Sequence, residues 1–231
     1  MKDLTQEQLI ELGRQLSHPK GEFGLEVAKN MQMTNIGMIK SAINALEISA
    51  NNKVLEIGHG NCEHLPLILE QSKNVGFYGL EISETMKAEA ELKNKAYLKN
   101  QTVQFKLYDG ENIPSTNHFF DRIMTVNTLY FWKSPLQFLE EIYRVTKPNG
   151  VFVIAFAQKQ FMEDLPFVKE KFQLYNNHDL SELVSKSSFE LFNITDEAET
   201  VTGNAGEFIN RNYSIAVLKK IGKEPSNNKT E

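Results

Sequence analysis

Residues 54–62 read VLEIGHGNC and join a short apolar run to two glycines, Gly58 and Gly60. An apolar strand that ends in Gly-x-Gly before a helix is typical of an α/β fold that binds a ligand there, because glycine lets the backbone turn tightly and approach the ligand. The predicted helix at residues 63–72 directs its N-terminal amides at the same place. A lone Gly-x-Gly is weak evidence, so the prediction depends on the motifs in the rest of the chain.

Strands and helices alternate along the central part of the chain. Apolar runs predict five strands, at residues 54–57, 75–81, 103–108, 120–126 and 151–157. Helical patterns separate them at 63–72, 83–100 and 135–145, the last with Ser134 as N-cap and Pro135 at the first helical position. This order predicts a mostly parallel sheet with helices on both faces.

The two ends of the chain differ from this core. Apolar residues at helical spacing predict helices at 3–16 and 22–46. After the core, a helix at 179–186 precedes two strands, at 189–194 and 212–220, which flank the glycines of 203–206 and are predicted to pair as an antiparallel edge hairpin. We therefore expect one domain over residues 1–221, made of N-terminal helices (1–46), a core (50–157) and a C-terminal helix and hairpin (158–221), with a disordered polar tail at 222–231.

The composition narrows the classes of partner. A net charge of −5 in 231 residues argues against a general nucleic-acid binder, which needs a basic face. The longest purely apolar run, residues 151–157, is far too short for a membrane span, and the polar N-terminus lacks a secretory signal. Cys62 is the one cysteine, which excludes an intramolecular disulfide. We expect a cytoplasmic protein that acts on a small molecule, with an oligomeric state that the sequence does not define.

Three polar residues close later strands at the same predicted edge of the sheet. Glu81 closes the second strand, 23 residues after Gly58, where a carboxylate can accept hydrogen bonds from ribose hydroxyls. Asp109 closes the third strand, where it can accept from an adenine amine, and Asn127 closes the fourth. Because the carboxyl ends of parallel strands meet at one edge, these residues predict a nucleoside site.

The ordered segments VLEIGHGNC, GLEISETM, LYDGENIP, FDRIMTVNTLYFW and YRVTKPNGVFVIAF resemble the motifs of class I S-adenosylmethionine-dependent methyltransferases. The resemblance covers about residues 50–157 and is closest to the small-molecule type that includes ubiquinone-biosynthesis enzymes. It implies an α/β, Rossmann-like doubly wound sheet of seven strands with the last strand antiparallel, and S-adenosylmethionine as the cofactor. Its cofactor-binding positions fall on Glu56, Gly58 and Gly60 in the glycine loop, Glu81 at the ribose, Ile82 and Met86 near the nucleoside, Asp109 and Gly110 at the adenine, and Asn127 near the methionine part.

The chain departs from the family pattern in three places. Cys62 stands where a third glycine is usual, which narrows the loop without blocking a nucleoside. Asn149 replaces a glycine in the turn before the fifth strand, and asparagine tolerates the left-handed backbone of such a turn. No Asn-Pro-Pro-Tyr or Asp-Pro-Pro-Tyr follows the fourth strand, which disfavours DNA adenine and protein glutamine as methyl acceptors.

Several polar residues near the loop have competing interpretations. Glu56 lies in an apolar strand and needs a partner, for which a cofactor amine or a loop amide would serve. His59 and His64 are interpreted as loop or surface residues, because Cys62 and His64 lack a recognised zinc spacing, and no metal is predicted. Cys62 is interpreted as a packing residue.

The acceptor side of the site is less defined. Tyr130 and Trp132 either pack in the core or form a wall of the substrate pocket. The rest of that pocket is expected from the N-terminal helices, residues 161–175 and residues 204–211. No general base is assigned, although His18, Tyr130, Tyr143 and His178 are candidates.

Two other functions share these features. A nicotinamide-dependent oxidoreductase would need a glycine where Glu63 stands. A methyltransferase fold that binds ligands without catalysis differs from an enzyme only in a methyl-transfer assay. Residues 1–46 are expected either to form a lid over the cofactor or to cover the outer face of the sheet. Glu81→Ala is expected to weaken cofactor binding with little loss of fold.

Overall fold

The computed structural model describes residues 4–100, 102–168, 172–202 and 208–222. Its centre is a seven-stranded sheet in the order β3-β2-β1-β4-β5-β7-β6. The strands are β1 (Lys53–Ile57), β2 (Gly76–Glu81), β3 (Val103–Leu107), β4 (Phe120–Val126), β5 (Thr146–Ala157), β6 (Glu190–Thr202) and β7 (Phe208–Lys219). The helices are α1 (Gln6–Ser17), α2 (Gly21–Ala45), α3 (Leu65–Leu69), α4 (Glu84–Lys93), α5 (Pro135–Val145), α6 (Lys159–Met162) and α7 (Asn177–Ser185).

The strand directions confirm the predicted fold class. Strands β1 to β5 pair in parallel, whereas β7 is antiparallel to both of its neighbours, β5 and β6. The order reverses at β1, which pairs with β2 on one side and β4 on the other. A ligand site is expected beyond the carboxyl ends of the strands at such a reversal.

Successive side chains along each strand point to opposite faces of the sheet, and they form one hydrophobic core on each face. In β5, Phe152 and Ile154 belong to the cluster covered by α5, while Val151 and Val153 belong to the cluster covered by α2. All four are buried. Both faces are therefore closed by helices, as parallel sheets require.

Some predicted boundaries are wrong, and local contacts give the reasons. Helix α3 has five residues because the chain from Gly58 to His64 forms a turn, with Cys62 at φ +48°. Helix α4 ends at Lys93 because the Asn94 side chain donates to the Ala90 carbonyl at 3.0 Å and turns the chain away. The predicted turn at residues 147–150 is a bulge inside β5, where the pairing with β4 shifts.

The C-terminal hairpin is longer than predicted, with strands of 13 and 12 residues. Its predicted turn at residues 203–206 lies outside the described residues, and so do residues 223–231 of the predicted tail. Within the described ranges, no helix combines the length and apolar character needed to cross a membrane.

Candidate active site

The glycine loop after β1 has three residues in the left-handed backbone region. Gly58 has φ +72°, Gly60 has φ +57° and Cys62 has φ +48°. A Cβ on Gly58 would collide with the Thr128 side chain, whereas a Cβ on Gly60 would meet nothing within 4 Å. Gly60 therefore faces open space. Position 62 is the place where the family usually has a third glycine, and its positive φ explains that preference.

The Glu81 carboxylate is held by the backbone of this loop and of the turn after β2. Oε2 accepts from the Gly60 amide at 3.0 Å, and Oε1 accepts from the amides of Ile82 at 2.8 Å and Ser83 at 3.2 Å. Burial raises the pKa of Glu81, and these three hydrogen bonds oppose that rise. Because Glu81→Ala would remove the acceptor of three amides, these contacts lead us to expect a loss of stability as well as of cofactor binding.

Glu56 and His64 form a buried pair directly behind the loop. Since a carboxylate only accepts, His64 Nε2 is the donor, at 3.0 Å to Oε1 and 2.8 Å to Oε2 of Glu56. His64 Nδ1 has no partner among the described residues. Cys62 Sγ, a carboxylate oxygen of Glu56 and a ring nitrogen of His64 all lie within 4.8 Å of one another. Such a group of atoms could hold a metal ion, and the spacing of these residues in the sequence did not predict it.

The interpretation of the two loop histidines as surface residues is wrong. Both are 3% exposed. Burial lowers the pKa of His59 to about 4, so its ring is neutral at pH 7, and its Nδ1 donates to the Gly60 carbonyl at 2.8 Å. Sequence reasoning missed both because a histidine in a glycine loop has no apolar periodicity that would mark it as buried. Cys62 is fully buried, in agreement with its interpretation as a packing residue.

A cleft opens at the carboxyl edge of the sheet, and we call it the main cleft. It brings together eight of the nine predicted cofactor residues: Glu56, Gly58, Gly60, Glu81, Ile82, Met86, Gly110 and Asn127. It also contains residues that were not predicted as site residues, among them His59, Asn61, His64, Tyr108 and Thr128. Trp132, predicted at the acceptor side, lies in this cleft and donates from Nε1 to Thr128 Oγ1 at 3.2 Å.

Asp109 is the predicted residue that the structure does not bring to the cleft. Its side chain is exposed and accepts from the Glu111 amide and from both the amide and the side chain of Asn112. The bonds from Asn112, followed by the one from Glu111, lower the pKa of Asp109 to about 2. The neighbours Tyr108 and Gly110 line the cleft instead.

The N-terminal helices form one wall of the main cleft. The lining residues include Ser17 at the end of α1, Pro19 in the connection to α2, and Met31 and Asn35 of α2. The Pro19 carbonyl accepts from the hydroxyl of Ser83, which is also the N-cap of α4. The first half of α2 thus lies at the carboxyl edge, while its second half packs on one face of the sheet, so both expected positions of the N-terminal helices are occupied.

A second pocket, about 220 Å³ in volume, adjoins the main cleft. It is mostly apolar, and aromatic rings form one wall: Phe172 packs edge-on against Phe131 at 4.7 Å and lies 6.0 Å from Tyr130. The lining comes from α1, α2, the turn after β4, residues 161–172 and the hairpin. This set includes every segment that was predicted to form the acceptor pocket, although residues 169–171 and 203–207 lie outside the described part.

Asn127 stands at the junction of the two cavities and lines both. Its φ of +57° turns the chain sharply at the end of β4. Oδ1 accepts from Tyr130 Oη at 3.0 Å, and Nδ2 donates to Asn35 Oδ1 at 3.2 Å. These bonds link the strand end to α2.

Of the four candidate bases, only Tyr130 lines either cavity. Burial raises the pKa of its hydroxyl, whose single proton is shared between two acceptors at 3.0 Å, Asn127 Oδ1 and the Ala157 carbonyl. His18 and His178 are exposed or half-buried and Tyr143 packs against Phe189, all three away from both cavities.

Comparison with known proteins identifies the core. Residues 55–154 match the family described as "Methyltransferase domain". Residues 55–154 thus carry a methyltransferase domain, and the similar proteins include S-adenosylmethionine-dependent methyltransferases. The cofactor of this family is S-adenosylmethionine.

The similar proteins are distant. The uncharacterized methyltransferase YdaC of Bacillus subtilis is 27% identical over 118 residues, which is 51% of this chain and 63% of YdaC. The ubiquinone/menaquinone biosynthesis C-methyltransferase UbiE of Coxiella burnetii is 33% identical over 86 residues, 37% of this chain and 34% of UbiE. The chain thus spans less than two thirds of these relatives, and UbiE agrees loosely with the predicted ubiquinone-like type.

Solved structures show the same fold. A chain of the Haloferax volcanii complex between the Trm112 methyltransferase activator and a methyltransferase superposes with a TM-score of 0.73 at 15% identity. The superposition covers 92% of this chain and 98% of that one. At this identity the likeness concerns the fold alone.

Proposed function

We propose that this protein transfers a methyl group from S-adenosylmethionine, bound in the main cleft, to a small molecule bound in the second pocket. The observation that carries the proposal is the shared wall: Asn127, Phe131 and Asn35 line both cavities. A molecule in one cavity therefore lies against a molecule in the other. That arrangement supports an in-line displacement, which depends on proximity and orientation.

The main cleft fits the cofactor by its chemistry. Gly60 leaves room for a ligand, and Glu81 presents a carboxylate oxygen held by loop amides. His59 Nε2 and His64 Nδ1 are buried polar atoms without partners among the described residues, and both rings line the cleft. Apolar surface from Ile82, Met86 and Tyr108 would suit an adenine ring.

The chain's own residues position the reactants and exclude water. S-adenosylmethionine, when bound, supplies a methyl group that its sulfonium has already activated. The end of α1 and the first half of α2 line the cleft in which the methyl group would lie, and Asn127 is held at the junction of the two cavities. Exclusion of water strengthens the electrostatic interactions and prevents hydrolysis.

A small-molecule acceptor agrees with the second pocket better than a polymer does. The pocket is lined mainly by apolar side chains, and the net charge of the chain is −5. Nucleic acid would need a basic face along which the phosphates could lie.

The test uses two matched substitutions. Gly60→Leu places a side chain in the main cleft, and Gly21→Leu has the same kind of positive φ, +66°, with open space at its Cβ but away from both cavities. We expect calorimetry with S-adenosylhomocysteine to show loss of binding in Gly60→Leu and normal binding in Gly21→Leu. Equal binding by the two variants would place the cofactor elsewhere.

Methyl transfer itself requires a second assay. Transfer of a radiolabelled methyl group to small-molecule fractions, with total RNA and protein as parallel acceptors, is expected to label a small molecule. Binding of the cofactor without transfer to any fraction would favour the alternative of a silent binding module, and labelling of RNA or protein alone would contradict the acceptor class.

A further inference from the structure

The polar end of the second pocket is built around Arg211 on β7. Its side chain is 7% exposed and pairs with Glu199 on β6, whose Oε1 accepts from Nη2 at 2.6 Å and from Nε at 3.2 Å. Nη1 donates to Asn35 Oδ1 at 2.8 Å, and Nη2 also donates to the Thr34 carbonyl. A guanidinium has five N–H groups. These four bonds leave one N–H, on Nη1, without a partner among the described residues.

This guanidinium is fixed from three sides. Glu199 packs against α2 at Gly37, where a Cβ would overlap its carboxylate. Asn35, which accepts from Arg211, also accepts from Asn127 at the junction with the main cleft. A ligand held by the remaining N–H therefore has a defined position relative to the cofactor site.

The local charge disfavours an anionic ligand. The charge of Arg211 is already balanced by Glu199. A further carboxylate, Glu197, precedes Glu199 by two residues on β6, and it accepts from the Tyr213 hydroxyl at 2.6 Å and from the Ser41 hydroxyl at 2.7 Å. A ligand carboxylate would thus be a second carboxylate at a guanidinium whose charge Glu199 already balances. A neutral oxygen would gain the hydrogen bond without that repulsion.

Three aromatic rings in the lining of the pocket favour a flat ligand. Phe131, Phe167 and Phe172 line it, and the ring of Phe172 packs against both of the others. Aromatic pairs prefer offset-stacked or edge-to-face contacts with a flat partner. A saturated ring system is not flat and has no π-face, so it could not make these stacked and edge-to-face contacts.

We propose that the methyl acceptor is a flat, largely apolar molecule that presents one uncharged oxygen, a carbonyl or a phenolic hydroxyl, to the free N–H of Arg211. This inference rests on the proposed function and assigns the acceptor class. The oxygen anchors the acceptor, and the aromatic wall holds its plane.

The test is calorimetry with 2-naphthol as the probe, at saturating S-adenosylhomocysteine. We expect the wild-type protein to bind 2-naphthol at least tenfold more tightly than 2-naphthoate, which carries a charge, and than 2-decalol, which is not flat. Equal binding of all three would overturn the inference, and so would the absence of 2-naphthol binding in a protein that binds S-adenosylhomocysteine. The proposed function would survive either result and would fall only with the loss of cofactor binding or transfer.

Three variants separate recognition from folding. Arg211→Gln combined with Glu199→Gln keeps the charge balance and should weaken 2-naphthol binding about tenfold, while Glu199→Gln alone should shift the preference toward 2-naphthoate. Phe172→Leu should weaken 2-naphthol binding severalfold, and the control Phe192→Leu, an exposed ring 62% accessible on β6, should not. Unchanged naphthol binding in the double variant, or an unchanged preference in Glu199→Gln, would refute the role of Arg211.

Discussion

Replacing Glu81 with glutamine tests the cofactor site most directly. A carboxylate offers about four acceptor positions. The amides of Ile82 and Ser83 use Oε1, and the Gly60 amide uses one position on Oε2. About one position, on Oε2, is left for a ligand hydroxyl. The glutamine carbonyl has to remain near Ile82 and Ser83, so its NH₂ group takes the place of Oε2 and cannot accept from the ligand.

The expected loss is therefore one hydrogen bond to a charged group. Such a bond contributes about 1.5–3 kcal/mol, which corresponds to about 10- to 150-fold in affinity. Calorimetry with S-adenosylhomocysteine at pH 7.5 measures it. The matched control is Glu84→Gln, which makes the same charge change three residues away at an exposed site and should leave the affinity unchanged.

The pH dependence provides a second readout. Because burial raises the pKa of Glu81, protonation of the wild-type carboxylate begins above the pH range of an ordinary glutamate. Wild-type affinity should thus fall as the pH drops through that raised pKa, while the affinity of Glu81→Gln stays flat over the same range. Equal affinities of wild type and Glu81→Gln, or an equal loss in Glu84→Gln, would refute the reasoning.

Three further outcomes are expected from the geometry. His64→Phe leaves Glu56 buried without its partner and should lower the free energy of unfolding by about 3–5 kcal/mol, whereas adding Glu56→Leu should recover most of it; urea denaturation of both variants distinguishes pairing from general damage. Residues 21–38 of α2 should gain protection from hydrogen exchange when S-adenosylhomocysteine is added, and identical exchange in both states would make these helices structural cover. Tyr130→Phe should reduce methyl transfer by no more than about tenfold, as expected for one hydrogen bond of about 1 kcal/mol, and a loss beyond a hundredfold with a changed pH profile would make the hydroxyl a general base.

The central sheet and eight residues of the main cleft could be predicted because their signals are local. Gly58 and Gly60 follow an apolar strand directly, and Glu81 closes the next one, so the backbone alone brings them to one edge. Asp109 had the same kind of signal. It was predicted at the adenine because nothing in the sequence shows that Asn112, three residues on, holds its carboxylate in a local turn.

The rest depends on side chains that meet across the fold. Arg211 and Asn35 are 176 positions apart, and no periodicity predicts their contact. The pairing of His64 with Glu56 requires the reversal of the loop at Cys62, which a propensity argument does not foresee for cysteine. The second pocket is lined from separate segments of the chain, and the sequence could predict it only as a set of regions.

The hairpin of β6 and β7 has an inner half and an outer half, which contact different parts of the molecule. Its inner half completes the sheet beside β5, from Val151 to Ala157, and its outer half extends past that strand to place Arg211 and Ile209 at the second pocket. The outer half lies beyond the residues that match the methyltransferase family. The hairpin's contribution to the second pocket therefore lies outside the stretch that contains the glycine loop and Glu81. An exchange of the hairpin's outer half between such proteins would be a route to new acceptors that leaves the glycine loop and Glu81 untouched.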